Sequence, residues 1–259
     1  MSTIIYSSPI FGPVHSRRLG VSLGINLQPG DGKICTFDCI YCECGFNADH
    51  HPHLRRPTRK EVYEGLLQAL TKMKSEGHLP DVLTFAGNGE PTAHPNFPEI
   101  IDDTIRLRDL FAPAAKVSVL SNATEIYKPE VRSALMRVDN NILKLDTVDA
   151  HYIHTVDRPV GTRYDVSRVI ADMEKFNGHI IIQSMFMKGI TKYGNVDNTT
   201  DNYVLPWLEA VKRIQPKEVM VYTIARETPD PLLEKASPEE LNRIRDMVLA
   251  LGIPCKASY

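Results

Sequence analysis

From Thr58 to the C-terminus, short apolar runs alternate with helix-like stretches, and little chain is left over between them. Alternation of this kind points to a mainly parallel sheet, because parallel neighbours need a long crossover and a helix supplies it right-handedly. The first helix begins at the capping box Thr58-x-x-Glu61 and carries Val62, Leu66, Leu67, Leu70 and Met73 at helical spacing, to about residue 75. Apolar strands are then expected at 82–86, 116–120, 141–146, 180–185 and 219–222, with helices near 100–110, 129–136, 164–176 and 204–214. A last helix opens at Ser237-Pro238-Glu239-Glu240, with serine as cap, proline at the first position and Glu240 closing the box.

Together with an early strand at 22–27 these segments make six βα units, short of the eight that close a standard barrel. The expected fold is α/β, a partial, open (βα)6 barrel of the TIM-like kind. It forms one domain over residues 1–259, in which 1–57 carries the first strand and a loop, and 58–259 the remaining units. Hydrophobic residues at 42% and charged residues at 24% are ordinary for a chain with a full core. Chemistry on such a sheet gathers where the strands end at their carboxyl side. Residues 192–202, polar and glycine-containing, read as the most loop-like insertion.

The loop after the first strand reads Cys35-Thr36-Phe37-Asp38-Cys39-Ile40-Tyr41-Cys42-Glu43-Cys44-Gly45, and holds four of the five cysteines. An odd count crowded at one place is no disulfide framework, so the run reads as metal-binding. An ordinary iron–sulfur cubane takes one thiolate per iron. Cys35, Cys39 and Cys42 alone would leave one iron open to an outside molecule. A structural zinc site using these three and Cys44 is the alternative, although zinc sites usually pair two short-spaced hairpins and this is one run. Cys44 and Cys255 are too few for a second cubane. A second motif, Gly87-Asn88-Gly89-Glu90-Pro91, follows the strand at 82–86, and there a glycine-rich turn lets backbone approach a ligand beside a carboxylate.

The Cys-x3-Cys-x2-Cys spacing, with Tyr41 just before the last cysteine, resembles the signature of the radical S-adenosylmethionine (SAM) superfamily, and Gly87 to Glu90 is similar to its Gly-Gly-Glu motif. The resemblance implies one 4Fe-4S cluster on Cys35, Cys39 and Cys42 and SAM as the second cofactor. It implies reductive cleavage of SAM to a 5'-deoxyadenosyl radical that abstracts hydrogen from a substrate. The cofactor-side residues it implies are Tyr41, Gly87, Asn88, Gly89, Glu90, Pro91, Ser121, Asn122, Asp146 and Ser184. Lys144, Gln183, Tyr222 and Thr223 are further polar strand-end residues. A low-potential electron donor such as flavodoxin or ferredoxin is the implied partner.

The segment from Phe11 to Leu27, FGPVHSRRLGVSLGINL, together with TFAGNGEPT, resembles bacterial and archaeal iron–sulfur oxidoreductases grouped with wyosine-base-formation enzymes, some of which modify a tRNA guanine. That leaves an RNA base or a small molecule as substrate, with an activase installing a glycyl radical on a partner enzyme as the alternative. A net charge of −2 exerts no global pull on nucleic acid. Arg17, Arg18, Lys33, Arg55, Arg56, Arg59 and Lys60 nevertheless make the N-terminal quarter locally basic. Arg17 and Arg18 are candidates for holding an anionic substrate, and Arg158 for pairing with a carboxylate or phosphate. His50, His51 and His53 read as a polar loop. With no secretory leader or membrane-length apolar run, the chain is expected in the cytosol, with no membrane partner.

Overall fold

The computed structural model describes residues 3–16, 20–161 and 164–259, so Arg17 and Arg18 lie outside the described residues. In chain order the elements are β1 (Ile10–Ser16), β2 (Gly20–Ile25), α1 (Arg59–Ser75), β3 (Val82–Phe85), α2 (Phe97–Phe111), β4 (Lys116–Ser121), α3 (Pro129–Leu135), β5 (Asn140–Lys144), α4 (Ala150–Tyr152), α5 (Val166–Glu174), β6 (Ile181–Met185), β7 (Met187–Lys188), β8 (Ile190–Thr191), β9 (Gly194–Asn195), α6 (Asp201–Ile214), β10 (Glu218–Tyr222), β11 (Glu234–Lys235), α7 (Pro238–Ala250) and β12 (Cys255–Ser258). One eight-stranded sheet runs in the order β1-β2-β3-β4-β5-β6-β10-β12. Every neighbouring pair from β2 to β12 is parallel, while β1 pairs antiparallel with β2.

The six expected strands are present, and two more extend the sheet at its edges. β1 contains Gly12 and Pro13 and shifts register between Phe11 and Val14, which hides it from an alternation test. β12 is four residues long with polar Lys256 and Ser258 on one face. The sheet therefore has seven parallel strands rather than six, and it remains open between β1 and β12. Residues 192–202 also hold more order than a plain loop, since β9 lies there and pairs with β8 just ahead of it in a small hairpin.

Strand alternation divides the interior in two. Leu23, Ile25, Leu83, Phe85, Val117 and Val119 face the helices and join Val62, Leu66, Leu70 and Ile100 in the main core. Leu120, Ile142, Ile181 and Met220 face the other way and form a separate apolar cluster inside the curve of the sheet. That inner face also carries hydrogen-bonded polar pairs, Ser22 with Thr84 at 2.8 Å and Asn140 with Ser118 at 2.9 Å.

The same alternation corrects the reading of Ser184. It shares the helix side of β6 with Ile182, and its hydroxyl donates to the Leu145 carbonyl at 2.5 Å and accepts the Trp207 indole N–H at 3.1 Å. Ser184 is fully buried against a fully buried Trp207, away from the inner face where Gln183 lies. None of the helices among the described residues is long and apolar enough to cross a membrane.

Both capping boxes form. Thr58 Oγ1 accepts from the Glu61 amide at 3.3 Å, and Glu61 accepts from the Thr58 amide at 2.7 Å. Arg55 also grips Glu61 at 2.7 and 2.8 Å, and the Arg55 guanidinium first, then the Thr58 donors, hold the Glu61 carboxyl down at about 2. Thr58→Ala should cost about 1 kcal/mol in urea unfolding, the usual worth of a side-chain cap. A depressed carboxyl stabilises above its unfolded value and loses that contribution on acidification. Glu61→Gln should therefore lower the midpoint of unfolding at neutral pH, with the gap narrowing as pH falls from 4.5 toward about 2.

Candidate functional site

The cysteine loop follows β2 and a short intervening stretch, and between Cys39 and Gly45 it has only local turns of its own. Its remaining backbone groups must find partners elsewhere. Four neighbours supply them. The Ile34 amide donates to the Asn88 carbonyl at 3.0 Å, and Ile34 bridges Gly89. Asp38 N–H is shared by the Asp157 and Arg158 carbonyls at 3.1 Å each, Ile40 N–H donates to Val156 at 3.0 Å, and Val160 N–H donates to Thr36 at 2.8 Å. From the N-terminus, Ile4 N–H reaches the Glu43 carbonyl at 2.9 Å. After β10, the Asp230 amide donates to the Ile40 carbonyl at 3.4 Å, and Arg226 bonds the Glu43 side chain at 2.6 Å and the Tyr6 hydroxyl at 3.2 Å. The loop is thereby fixed over the carboxyl ends of the strands.

Cys35, Cys39 and Cys42 are all free thiols in this loop. Cys35 Sγ accepts from the Phe37 amide at 3.5 Å and from Asn122 Nδ2 at 3.6 Å, which are donors suited to a thiolate. Burial pushes the Cys35 thiol up to about 12 against the pull of Lys33, and burial raises Cys39 as well. Cys42 is lowered, first by a hydrogen bond from Cys44, whose own thiol is raised by the same bond. Cys44 is buried and also donates to the Gly87 carbonyl at 3.4 Å. Lys33 is 3% exposed and donates to the Gly45 carbonyl at 2.6 Å. Burial works to lower its pKa, but Cys42, Cys35, Cys39 and Asp38 outweigh it and hold the ammonium protonated.

Among the described residues, no three His, Cys, Asp or Glu side chains converge on a single-ion site. A zinc ion held by Cys35, Cys39, Cys42 and Cys44 together does not fit this geometry. A multi-iron cluster takes one thiolate per iron, and the amide and carboxamide donors on Cys35 and the ammonium of Lys33 are groups that suit bound thiolates.

The turn from Gly87 to Pro91 is built for backbone approach. Gly89 has φ +140°, and a Cβ there would stand 1.8 Å from the Ile34 carbonyl oxygen. The Asn88 side chain points into the N-terminal segment, donating to the Tyr6 and Pro29 carbonyls and accepting the Tyr6 amide, all at 2.8 Å. Glu90 is equally engaged. It accepts from the Thr92 hydroxyl at 2.5 Å, the Thr92 amide at 3.0 Å, Ser121 Oγ at 2.8 Å and the Asn122 amide at 2.7 Å. Burial raises its pKa in spite of these donors. Pro91 opens a 3-10 turn to Ala93. Asn122 Nδ2 also donates to Thr36 Oγ1 at 2.7 Å, tying β4 to the cysteine loop.

Asp146 and Tyr41 meet in a buried charged cluster that the sequence did not single out. Lys144 Nζ donates to Asp146 Oδ2, to Asp157 Oδ1 at 2.7 Å and to the Tyr41 hydroxyl at 2.5 Å, and that hydroxyl donates to Asp146. Burial opposes the charge on Lys144, yet the two carboxylates hold its pKa well above the ordinary value. Burial raises Asp157, with Lys144 pulling the other way. Asp157 ends a π-helical turn, Ile153–Asp157, and its only sequence signal is a place in HTVDRPV, where Arg158 takes a left-handed φ of 52° before a proline. Arg158 is itself engaged, pairing with Asp38 at 3.3 Å and lying between the Phe46 and Tyr193 rings. His50 contacts Thr3 at 2.6 Å, in keeping with a polar loop.

Gly89→Ala should disrupt docking of the cysteine loop, because both left-handed strain and the clash with Ile34 oppose it. Hydrogen exchange at Ile34 and Asp38 is expected to accelerate while α7 stays protected.

A family model described as the radical SAM superfamily matches residues 31–193, a span that includes the cysteine loop, the glycine turn and the Lys144 cluster. A UPF0026 protein of Helicobacter pylori is 32% identical over 191 residues, covering 72% of this chain and 58% of that protein. The chain thus spans little more than half the length of that relative. A radical SAM methyltransferase from Sphaerobacter thermophilus superposes with a TM-score of 0.67 at 16% identity, over 92% of this chain and 66% of that one. SuiB of Streptococcus suis, solved with S-adenosylmethionine bound, superposes with a TM-score of 0.64 at 14% identity, over 91% and 50%. At those identities the structural likeness is one of fold, and it agrees with the TIM-like open barrel of βα units described above. The family match over more than half of the sequence establishes that the chain belongs to the radical SAM superfamily, whose cofactors are an iron–sulfur cluster and S-adenosylmethionine.

Proposed function

We propose that this chain is a radical SAM enzyme in which Cys35, Cys39 and Cys42 hold one 4Fe-4S cluster and SAM docks at the iron left without a protein thiolate. The observation that carries this reading is the direct seating of the cysteine loop on the glycine turn through Ile34 and Gly89, at the carboxyl ends of the strands. When bound, the cluster and SAM together supply reductive carbon–sulfur cleavage and a 5'-deoxyadenosyl radical able to take a hydrogen atom.

The chain's own residues would bind, orient and exclude water. Because the side chains of Asn88 and Glu90 are engaged within the protein, contacts from Gly87, Asn88, Gly89, Glu90 and Pro91 to SAM would run through backbone groups. Asn122 reaches Cys35 directly, whereas Asp146 is bonded by Lys144, Tyr41 and the Met185 amide, Ser121 braces Glu90 and Ser184 is turned to the helix layer. Tyr41 contributes by fixing Lys144 and Asp146. Phe37, Ile40, Met185 and Ile224 form an apolar cluster around Cys39 that keeps water from the thiolates.

For the substrate, a small molecule is favoured over RNA by the state of the N-terminal basic residues among those described. Arg55 pairs with Glu61, Arg59 with Asp103 at 2.6 Å and Lys60 with Glu64 at 3.7 Å, while Arg56 bonds Gln28 and the Ala93 carbonyl. Lys33 is buried. Charges already paired release few counterions on meeting phosphate. A flavodoxin or ferredoxin is the proposed electron donor.

Anaerobic reconstitution with iron and sulfide should load about four iron atoms per chain. Reduction in the presence of SAM should then yield 5'-deoxyadenosine, and Cys39→Ala should abolish both loading and product. Stoichiometric zinc with no uptake of iron would overturn the reading.

A further inference from the structure

Lys144, Asp146 and Asp157 are more deeply buried than charged groups usually are, with side-chain exposures of 15%, 1% and 3%. One ammonium faces two carboxylates, so the set carries one formal negative charge in excess. Its place is beneath the Cys39 part of the loop. Lys144 Nζ lies 5.7 Å from the centre of the Phe37 ring and 5.1 Å from that of Tyr41, two positions to either side of Cys39, and both rings pack with Cys39 in one apolar cluster.

Asp157 joins the two sides. Its carboxylate holds Lys144 at 2.7 Å and lies 3.3 Å from the Tyr41 hydroxyl, while its backbone carbonyl accepts the Asp38 amide next to Cys39. A π-helical turn presents it, a rare conformation that concentrates at functional sites. A packing role alone does not call for three ionised groups here, since apolar residues of the same volume fill such a site at no greater cost.

We propose that Lys144, Asp146 and Asp157 form a fixed charge set that tunes the reduction potential of the cluster, with Asp157 as the positioning residue that keeps Lys144 under Cys39. This rests on the assignment of Cys35, Cys39 and Cys42 as cluster ligands. Reduction adds one negative charge to the cluster, and in a poorly screened interior a neighbouring ammonium favours it while a neighbouring carboxylate opposes it. Lys144 and Asp157 therefore act with opposite sign.

The test is a redox titration followed by electron paramagnetic resonance on the reconstituted full chain, at one fixed pH and without SAM. Asp157→Asn should move the midpoint to more positive potential and Lys144→Gln to more negative potential. The charge-preserving Asp157→Glu and Lys144→Arg should stay close to wild type. Shifts of the same sign in the two neutral variants, no shift in either, or loss of the cluster from both would overturn the proposal, because each is what a packing role produces. A wild-type protein that loads no cluster would overturn the ligand assignment itself. A loaded wild type with variants that move together leaves that assignment standing and removes only the tuning role.

Discussion

Much of the structure depends on one unmet requirement, that the cysteine loop lacks regular structure of its own and its backbone must be bonded by others. The partners come from the glycine turn after β3, the π-turn segment after β5, the N-terminal residues ahead of β1 and the segment after β10. Each arrives at the carboxyl end of a strand, or beside it. The parallel sheet thus fixes the loop by gathering these connections on one rim.

Electrostatics reinforce this arrangement. Two lysines flank the thiols, buried Lys33 anchored on the Gly45 carbonyl and largely buried Lys144 held between carboxylates. Burial works against both charges, and their raised pKa values follow from the negative groups around them. Such positions are costly unless several thiolates and a charged ligand are to be accommodated. Arg55, Arg56, Arg59 and Lys60, by contrast, are spent on nearby acids, a carboxamide and a carbonyl.

Most of the βα order was legible because strands buried on both faces and capped amphipathic helices leave strong local patterns. Thr58 with Glu61 and Ser237 with Glu240 cap their helices as their spacing implies. What escaped was set by tertiary context. β1 is broken by Gly12-Pro13, and β12 is too short to show a period. Ser184 is polar at a strand end, and only the alternation of β6 and the indole of Trp207 reveal that it faces the helices. Asn88 and Glu90 have the right residue types for ligand contact, yet their side chains are consumed by Tyr6, Pro29, Thr92 and Ser121. Asp157 carried no motif, because its role arises from a π-turn that no residue pattern announces.

The central claim is that three thiolates leave one iron free for S-adenosylmethionine. Electron–nuclear double resonance on the reduced, reconstituted protein, with SAM isotopically labelled in its amino and carboxylate groups, tests it most directly. Hyperfine coupling from both labels to the cluster is the expected result. A cluster signal that does not respond to SAM, with a fourth cysteine ligand supplied by Cys44, would contradict it.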